Sequence, residues 1–225
     1  MEKLRVVYSK SKEAIYISHL DTIKIFEEAL SRANINVHYT SGFNPRPELV
    51  FAHPLSVGIE SIGEIVEVSL EEKIPIPYFI KEINSVLPSG LIVLSAEYIS
   101  ANEKNIMSRV YAATYILEII YNENKFNSKT KKQIEDIKKY YIDKMDEFLS
   151  QDNILVLKKS KDRMERIDIK PQIITYNFLI DRNLEITVST GSKNNLKPSY
   201  ILTGYNEYID EEFECNIKRI KILYK

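Results

Sequence analysis

Residues 18–54 read SHLDTIKIFEEALSRANINVHYTSGFNPRPELVFAHP, and the order of patterns inside this stretch decides the fold. Ser18 precedes a run in which Leu20, Ile23, Phe26, Leu30 and Ala33 recur at helical spacing, giving a helix with one apolar face. Ser18 is a good N-cap residue. Asp21, three residues on, approximates a capping box and suits the positive end of the helix. Asn34 ends the run. Ile35, Val37 and Tyr39 then alternate with Asn36, His38 and Thr40, the period of a half-buried strand. From Ser41 the glycine and prolines of SGFNPRPELVFAHPLSVG break any regular pattern up to Val57.

Before this stretch, Leu4, Val6 and Tyr8 alternate with Arg5 and Val7 as in a strand. After it, residues 64–70 read as a strand and 77–87 as a helix, with Pro77 in its first turn and Phe79, Ile80, Ile83 and Leu87 inward. Pro88-Ser89-Gly90 stops that helix, and LIVLSAEY (91–98) is a strand. The order is β-α-β-β-α-β, the split βαβ pattern of ferredoxin-like folds. The second half repeats the outline: a strand at 110–120, a long helix at 129–150, and strands near 154–158, 172–180 and 184–190. The last two are joined by a tight Asp181-Arg182-Asn183 turn. A short helix opens at Pro198 and stops near Gly204, and 216–224 closes the pattern. The expected fold is α+β, two tandem ferredoxin-like (βαββαβ-type) units with antiparallel sheets, 1–102 and 103–225. Their seam is the polar run 100–108. A single continuous sheet is the alternative.

Composition narrows the functions. The chain has 225 residues, 44% hydrophobic and 28% charged, which is the balance of a folded globular protein. No apolar run is long enough to cross a membrane, and MEKLRVVYSK puts charges where a signal peptide needs its apolar core. A cytoplasmic location is expected. One cysteine, Cys215, excludes a disulfide framework, a multi-cysteine zinc site and a self-contained iron–sulfur cluster. Net charge is −1, so no basic field covers the whole molecule. Residues 1–100 carry 9 Lys/Arg against 13 Asp/Glu, and the remainder 22 against 19. On that division the second half is the better electrostatic partner for an anion.

The candidate chemistry gathers between Ser18 and Pro54. His19, His38 and His53, with Asp21, supply enough ligand types for a metal, but their spacing matches no zinc motif, and no metal or other cofactor is expected. Ser18, His19 and Asp21 stand at a helix N-terminus, where unpaired N–H groups attract anions and a histidine can serve as acid, base or phosphate contact. A plain helix cap explains Ser18 and Asp21 equally well, and leaves His19 unexplained. In GFNPRP, Gly42 permits an unusual backbone, Pro45 and Pro47 fix φ on either side of Arg46, and Asn44 adds an amide. A framed guanidinium suits a carboxylate or phosphate, whether of a ligand or of the protein itself. In 158–170, KKSKDRMERIDIK, Lys159, Lys161, Arg163, Arg166 and Lys170 make a basic segment able to follow a phosphate backbone, or a solvated mixed-charge hairpin.

SHLD at the start of a helix, then GFNPRP, then the Phe51, Pro54, Leu55, Gly58 run resembles the radical-SAM-associated domain family of uncharacterised function. The similarity extends through the second half in Arg166-Ile167-Asp168-Ile169-Lys170-Pro171 and Lys197-Pro198, with lysine at 170 where that family often has arginine. The resemblance implies a partner: a radical-SAM iron–sulfur protein, since this chain has no CxxxCxxC. It also implies RNA or ribosomal components as the first substrate class. The expectation is an accessory module that presents such a substrate, with Ser18, His19, Asp21, Asn44 and Arg46 lining the site. The alternatives are a metal-independent endoribonuclease using His19 and a purely structural subunit.

Overall fold

The computed structural model describes residues 1–121, 129–160, 163–180 and 183–225. The chain is a mixed α+β protein with a mostly antiparallel sheet, divided into two compact units. Unit 1 comprises Met1–Ala113, Thr190–Lys193 and Lys218–Lys225; unit 2 comprises Thr114–Ser189 and Asn194–Ile217. No described helix is long and apolar enough to cross a membrane.

Unit 1 runs β1 (Glu2–Lys10), α1 (His19–Arg32), β2 (Leu49–Phe51), β3 (Glu60–Leu70), α2 (Ile76–Val86) and β4 (Leu91–Ile99). Strand β1 lies between β3 and β4, antiparallel to both, and β2 adds to the other edge of β3. Leu4, Val6 and Tyr8 of β1 share a core with Val66, Val68 and Leu70 of β3, Phe26, Ala29 and Leu30 of α1, and Phe79 and Ile83 of α2. Helix α1 begins where the pattern predicts, with the Ser18 hydroxyl accepting from the Asp21 N–H at 3.2 Å. Leu20, however, is exposed rather than buried, and the buried face of the helix starts at Thr22.

The strand expected at 35–40 is reduced to isolated bridges, Val37 with Leu70 and Tyr39 with Pro47. The ladder on β3 is instead built by Leu49–Phe51, inside the segment expected to be irregular. No proline falls between Pro47 and Pro54, so Leu49, Val50 and Phe51 keep the N–H groups a ladder needs. Behind β4, the polar run near 100–108 belongs to unit 1 and is pinned rather than loose. Buried Arg5 donates to Glu67 (2.8 Å) and Glu103 (2.8 Å), Glu67 also accepts the Ile106 N–H (3.1 Å), and Arg109 pairs with Glu103. Ile106–Arg109 forms the short helix α3.

Unit 2 contains most of β5 (Val110–Ile120), then α4 (Lys131–Leu149), β6 (Leu155–Ser160), β7 (Arg163–Asp168), β8 (Ile173–Phe178), β9 (Leu184–Ser189), α5 (Ser199–Ile209) and the start of β10 (Glu214–Tyr224). Its sheet order is β10-β5-β9-β8, while β6 and β7 form a separate two-stranded hairpin. Helix α4 opens on a complete capping box of Thr130 and Gln133. Helix α5 passes through Gly204 and ends at Asp210, which takes a left-handed conformation (φ 54°). Gly204 is not a stop signal. A Cβ there would meet Val156 at 2.6 Å and Phe148 at 2.9 Å, so the glycine lets α5 lie close to β6 and α4. The 181–183 turn lies largely outside the described residues.

Candidate functional site

The segment 40–46 is the tip of a hairpin. The Thr40 N–H donates to the Arg46 carbonyl (2.9 Å), the Arg46 N–H donates to the Thr40 hydroxyl (3.2 Å), and Tyr39 bridges Pro47. Gly42 sits at φ 142°, a conformation that strains any residue with a side chain. These contacts and the two prolines fix the backbone, and its side chains point into water. Phe43 is completely exposed, Tyr39 half exposed, and Asn44 and Arg46 are exposed. Among the described residues, the Arg46 guanidinium and the Asn44 amide have no hydrogen-bond or ion-pair partner. Phe43 is the residue that sequence reasoning missed. Its signal was an aromatic ring standing outside any helical or strand period, in a glycine–proline turn.

Ser18, His19 and Asp21 come together at the start of α1. The Ser18 hydroxyl donates to the Asp21 carboxylate (2.6 Å), and Asp21 lies 4.0 Å from Lys24. The His19 ring packs edge-on against Phe51, 5.5 Å between centroids, so it touches the strand that leaves the hairpin. No bond joins His19 to Arg46 among the described residues. Burial lowers the His19 pKa below its usual 6.5, and the charges of Lys10 and Arg219 add to this while Glu64 opposes it. These surroundings favour the uncharged form of the imidazole.

The histidines do not assemble. His38 pairs through Nδ1 with Glu71 (2.9 Å), and the His53 carbonyl accepts from Arg219 (3.1 Å). Among the described residues, no group of three or more His, Cys, Asp or Glu is placed to hold a metal.

Beneath His19 lies a polar cluster that periodicity does not reveal. Arg219, from the part of β10 that belongs to unit 1, is buried and holds Glu64 with both ends of its guanidinium, Nε reaching Oε1 at 2.7 Å. Ser61 donates to the same carboxylate at 2.6 Å. Tyr8 stands opposite Glu64 across the β1–β3 ladder, and Lys10 opposite Ser61. The buried Lys10 ammonium donates to the Ile17 carbonyl at 2.6 Å, one residue before the cap of α1. Burial lowers the Lys10 pKa and pushes the Tyr8 hydroxyl well above its usual value.

The basic segment 158–170 takes in the end of β6 and all of β7, which pair antiparallel with Lys158 opposite Glu165. Lys161 and the side chains of Lys159 and Arg163 lie outside the described residues. Arg166 pairs with Glu207, and Lys170 donates to the Leu149 carbonyl (2.5 Å), capping the end of α4. Asp168 accepts from the Ile154 N–H (2.9 Å) and the Lys170 N–H (3.0 Å), a structural role. Unit 2 also carries a groove of about 800 Å³ lined by Ile120, Tyr121, Asn206, Phe213 and five acidic residues from Glu207 to Glu214. Burial, with the nearby Glu118 charge, pushes the Cys215 thiol up to about 12, so it stays protonated.

Two similarities among solved structures describe what the chain looks like. A chain from the crystal structure of a Cbf5–Nop10–Gar1 complex aligns with 97% of this chain at 9% identity and a TM-score of 0.46. This chain covers 48% of that one, about half its length. A solved structure assigned as a glycine cleavage system transcriptional repressor aligns with 97% of this chain and 98% of its own, at 11% identity and a TM-score of 0.22. Both likenesses are too weak to carry an argument. No curated protein matches the chain. A family model described as an uncharacterized protein conserved in bacteria (DUF2344) matches residues 3–198, most of the sequence, and the chain belongs to that family.

Proposed function

We propose that this chain is an accessory binding protein of a radical-SAM system, acting in the cytoplasm and holding an RNA or ribosome-linked substrate for a partner enzyme. The observation that carries the binding reading is the 40–46 hairpin tip. Its backbone is fixed by its own hydrogen bonds, yet Phe43, Asn44 and Arg46 are exposed and their side chains bond to no described residue. A rigid frame that leaves an aromatic face and five guanidinium donors unspent suits a base stacked on Phe43 and a phosphate held by Arg46. The radical-SAM partner rests on the resemblance carried by SHLD and GFNPRP. Any cluster chemistry would fall to that partner, because this chain has a single cysteine.

The same reading takes both units as ferredoxin-like. In unit 1 the spatial order β2-β3-β1-β4 supports it, and in unit 2 the order β8-β9-β5-β10 repeats it with the β6–β7 hairpin as an insertion. The test is fluorescence anisotropy with a labelled single-stranded RNA. Arg46→Ala is expected to weaken binding about tenfold or more, as loss of a charged hydrogen-bonding group does, while Tm stays unchanged. Equal affinity, or a large fall in Tm, would remove the hairpin from the site.

A second reading is favoured by one observation, the half-buried His19 ring at the start of α1, packed against Phe51 and with neither nitrogen bonded to a described residue. In this reading the chain is a metal-independent endoribonuclease with His19 as general base. Cleavage of RNA in EDTA that disappears in His19→Ala would establish it. Intact RNA would leave the binding protein.

A further inference from the structure

Three polar groups share the end of β1 under the first turn of α1, and none is fully used. Lys10 is 2% exposed and its ammonium has one hydrogen bond, to the Ile17 carbonyl, out of three it can make. Tyr8 is 3% exposed, and its hydroxyl bonds to no described residue. That hydroxyl is not sealed off: the one sealed and unpaired side-chain atom among the described residues is Asn206 Oδ1 in unit 2. The His19 ring nitrogens likewise bond to no described residue. Tyr8 and His19 both pack against the Phe51 ring, at 6.3 and 5.5 Å. Lys10 reaches the carbonyl two residues before His19.

The charges here do not balance. Glu64 is the buried carboxylate of the cluster, and Arg219 and Ser61 already occupy it. No carboxylate among the described residues lies within ion-pair distance of Lys10. Asp21, at the same helix end, is exposed and engaged with Ser18 and Lys24. A buried cation without a counter-ion is costly, and the N-terminus of a 14-residue helix adds its own positive end. We infer that Tyr8, Lys10 and His19 form an anion subsite at the α1 N-terminus that takes a phosphate group, either free or as a monoester. Lys10 supplies charge, the Tyr8 hydroxyl and a His19 N–H supply directed hydrogen bonds, and the free N–H groups of the first turn complete the shell. This subsite stands independently of the hairpin tip.

Isothermal titration of the whole chain in a chloride buffer tests it, with inorganic phosphate and then a nucleoside 5′-monophosphate as probes. Saturable binding of at least one is expected. Tighter nucleotide binding would assign a monoester, and equal affinity would assign the free anion. Tyr8→Phe removes a hydroxyl that bonds to no described residue, so Tm should not fall while affinity drops about tenfold. Lys10→Met should abolish binding, and Arg46→Ala should leave it intact. Absence of saturable binding by wild-type protein overturns the subsite, as does wild-type affinity in Tyr8→Phe. Should Lys10→Met fail to fold, Tyr8→Phe decides alone.

Discussion

His19 shows what a single residue's surroundings add to its sequence position. The sequence placed it at a helix N-terminus beside Ser18 and Asp21, and the cap forms as read. What spacing did not indicate is the cluster under it, because Tyr8 and Glu64 face each other across a ladder and Arg219 arrives from 155 residues further along the chain than Glu64. Pairings of that range leave no local signature. The lowered His19 pKa has a consequence for stability, with a definite sign. Below its usual 6.5 the unfolded chain takes up a proton that the folded chain refuses, so stability falls as pH drops from 6.5 toward the folded value and is recovered above 6.5. Denaturant melts at pH 7 and pH 5 should show this loss, and His19→Asn should reduce it. An unchanged difference would mean that His19 is not the group responsible.

At the scale of elements, long periodic segments were readable and short irregular ones were not. Helices α1, α2 and α4 begin within two residues of the expected positions because their caps and first turns carry the signal: Ser18, Pro77, and Thr130 with Gln133. The three-residue β2 was hidden because it follows two prolines closely. Gly204 was misread for a physical reason, since a helix-weakening residue and a close-packing residue look the same in sequence. Gly204→Ala is therefore expected to destabilise the chain by roughly 1–3 kcal/mol through overpacking, although alanine is the better helix former. Urea melts would measure it. A stabilised variant would show that Phe148 and Val156 yield without cost.

For the whole molecule, the electrostatic reading changes once units replace halves of the sequence. Unit 1 holds 16 Lys/Arg against 14 Asp/Glu, and unit 2 holds 15 against 18, so the first unit is the positive one. Halving the sequence assigned Lys218, Arg219, Lys221 and Lys225 to the wrong body. An excess of two charges is still a weak field, so RNA binding at the hairpin tip should depend on few phosphate contacts. The logarithm of affinity should fall against the logarithm of salt with a slope of about −1 to −2. A potassium chloride series would measure this, and a slope near about −5 would place binding on some broader basic surface. The assignment of residues 218–225 to unit 1 also bears on biosynthesis. The ribosome makes β1, α1 and β3 early, yet Arg219, the partner of the buried Glu64, is made near the end of these 225 residues. Until then the Glu64 carboxylate lacks the guanidinium that holds it in the folded chain, so the nascent first unit stays incomplete while the whole of the second is translated.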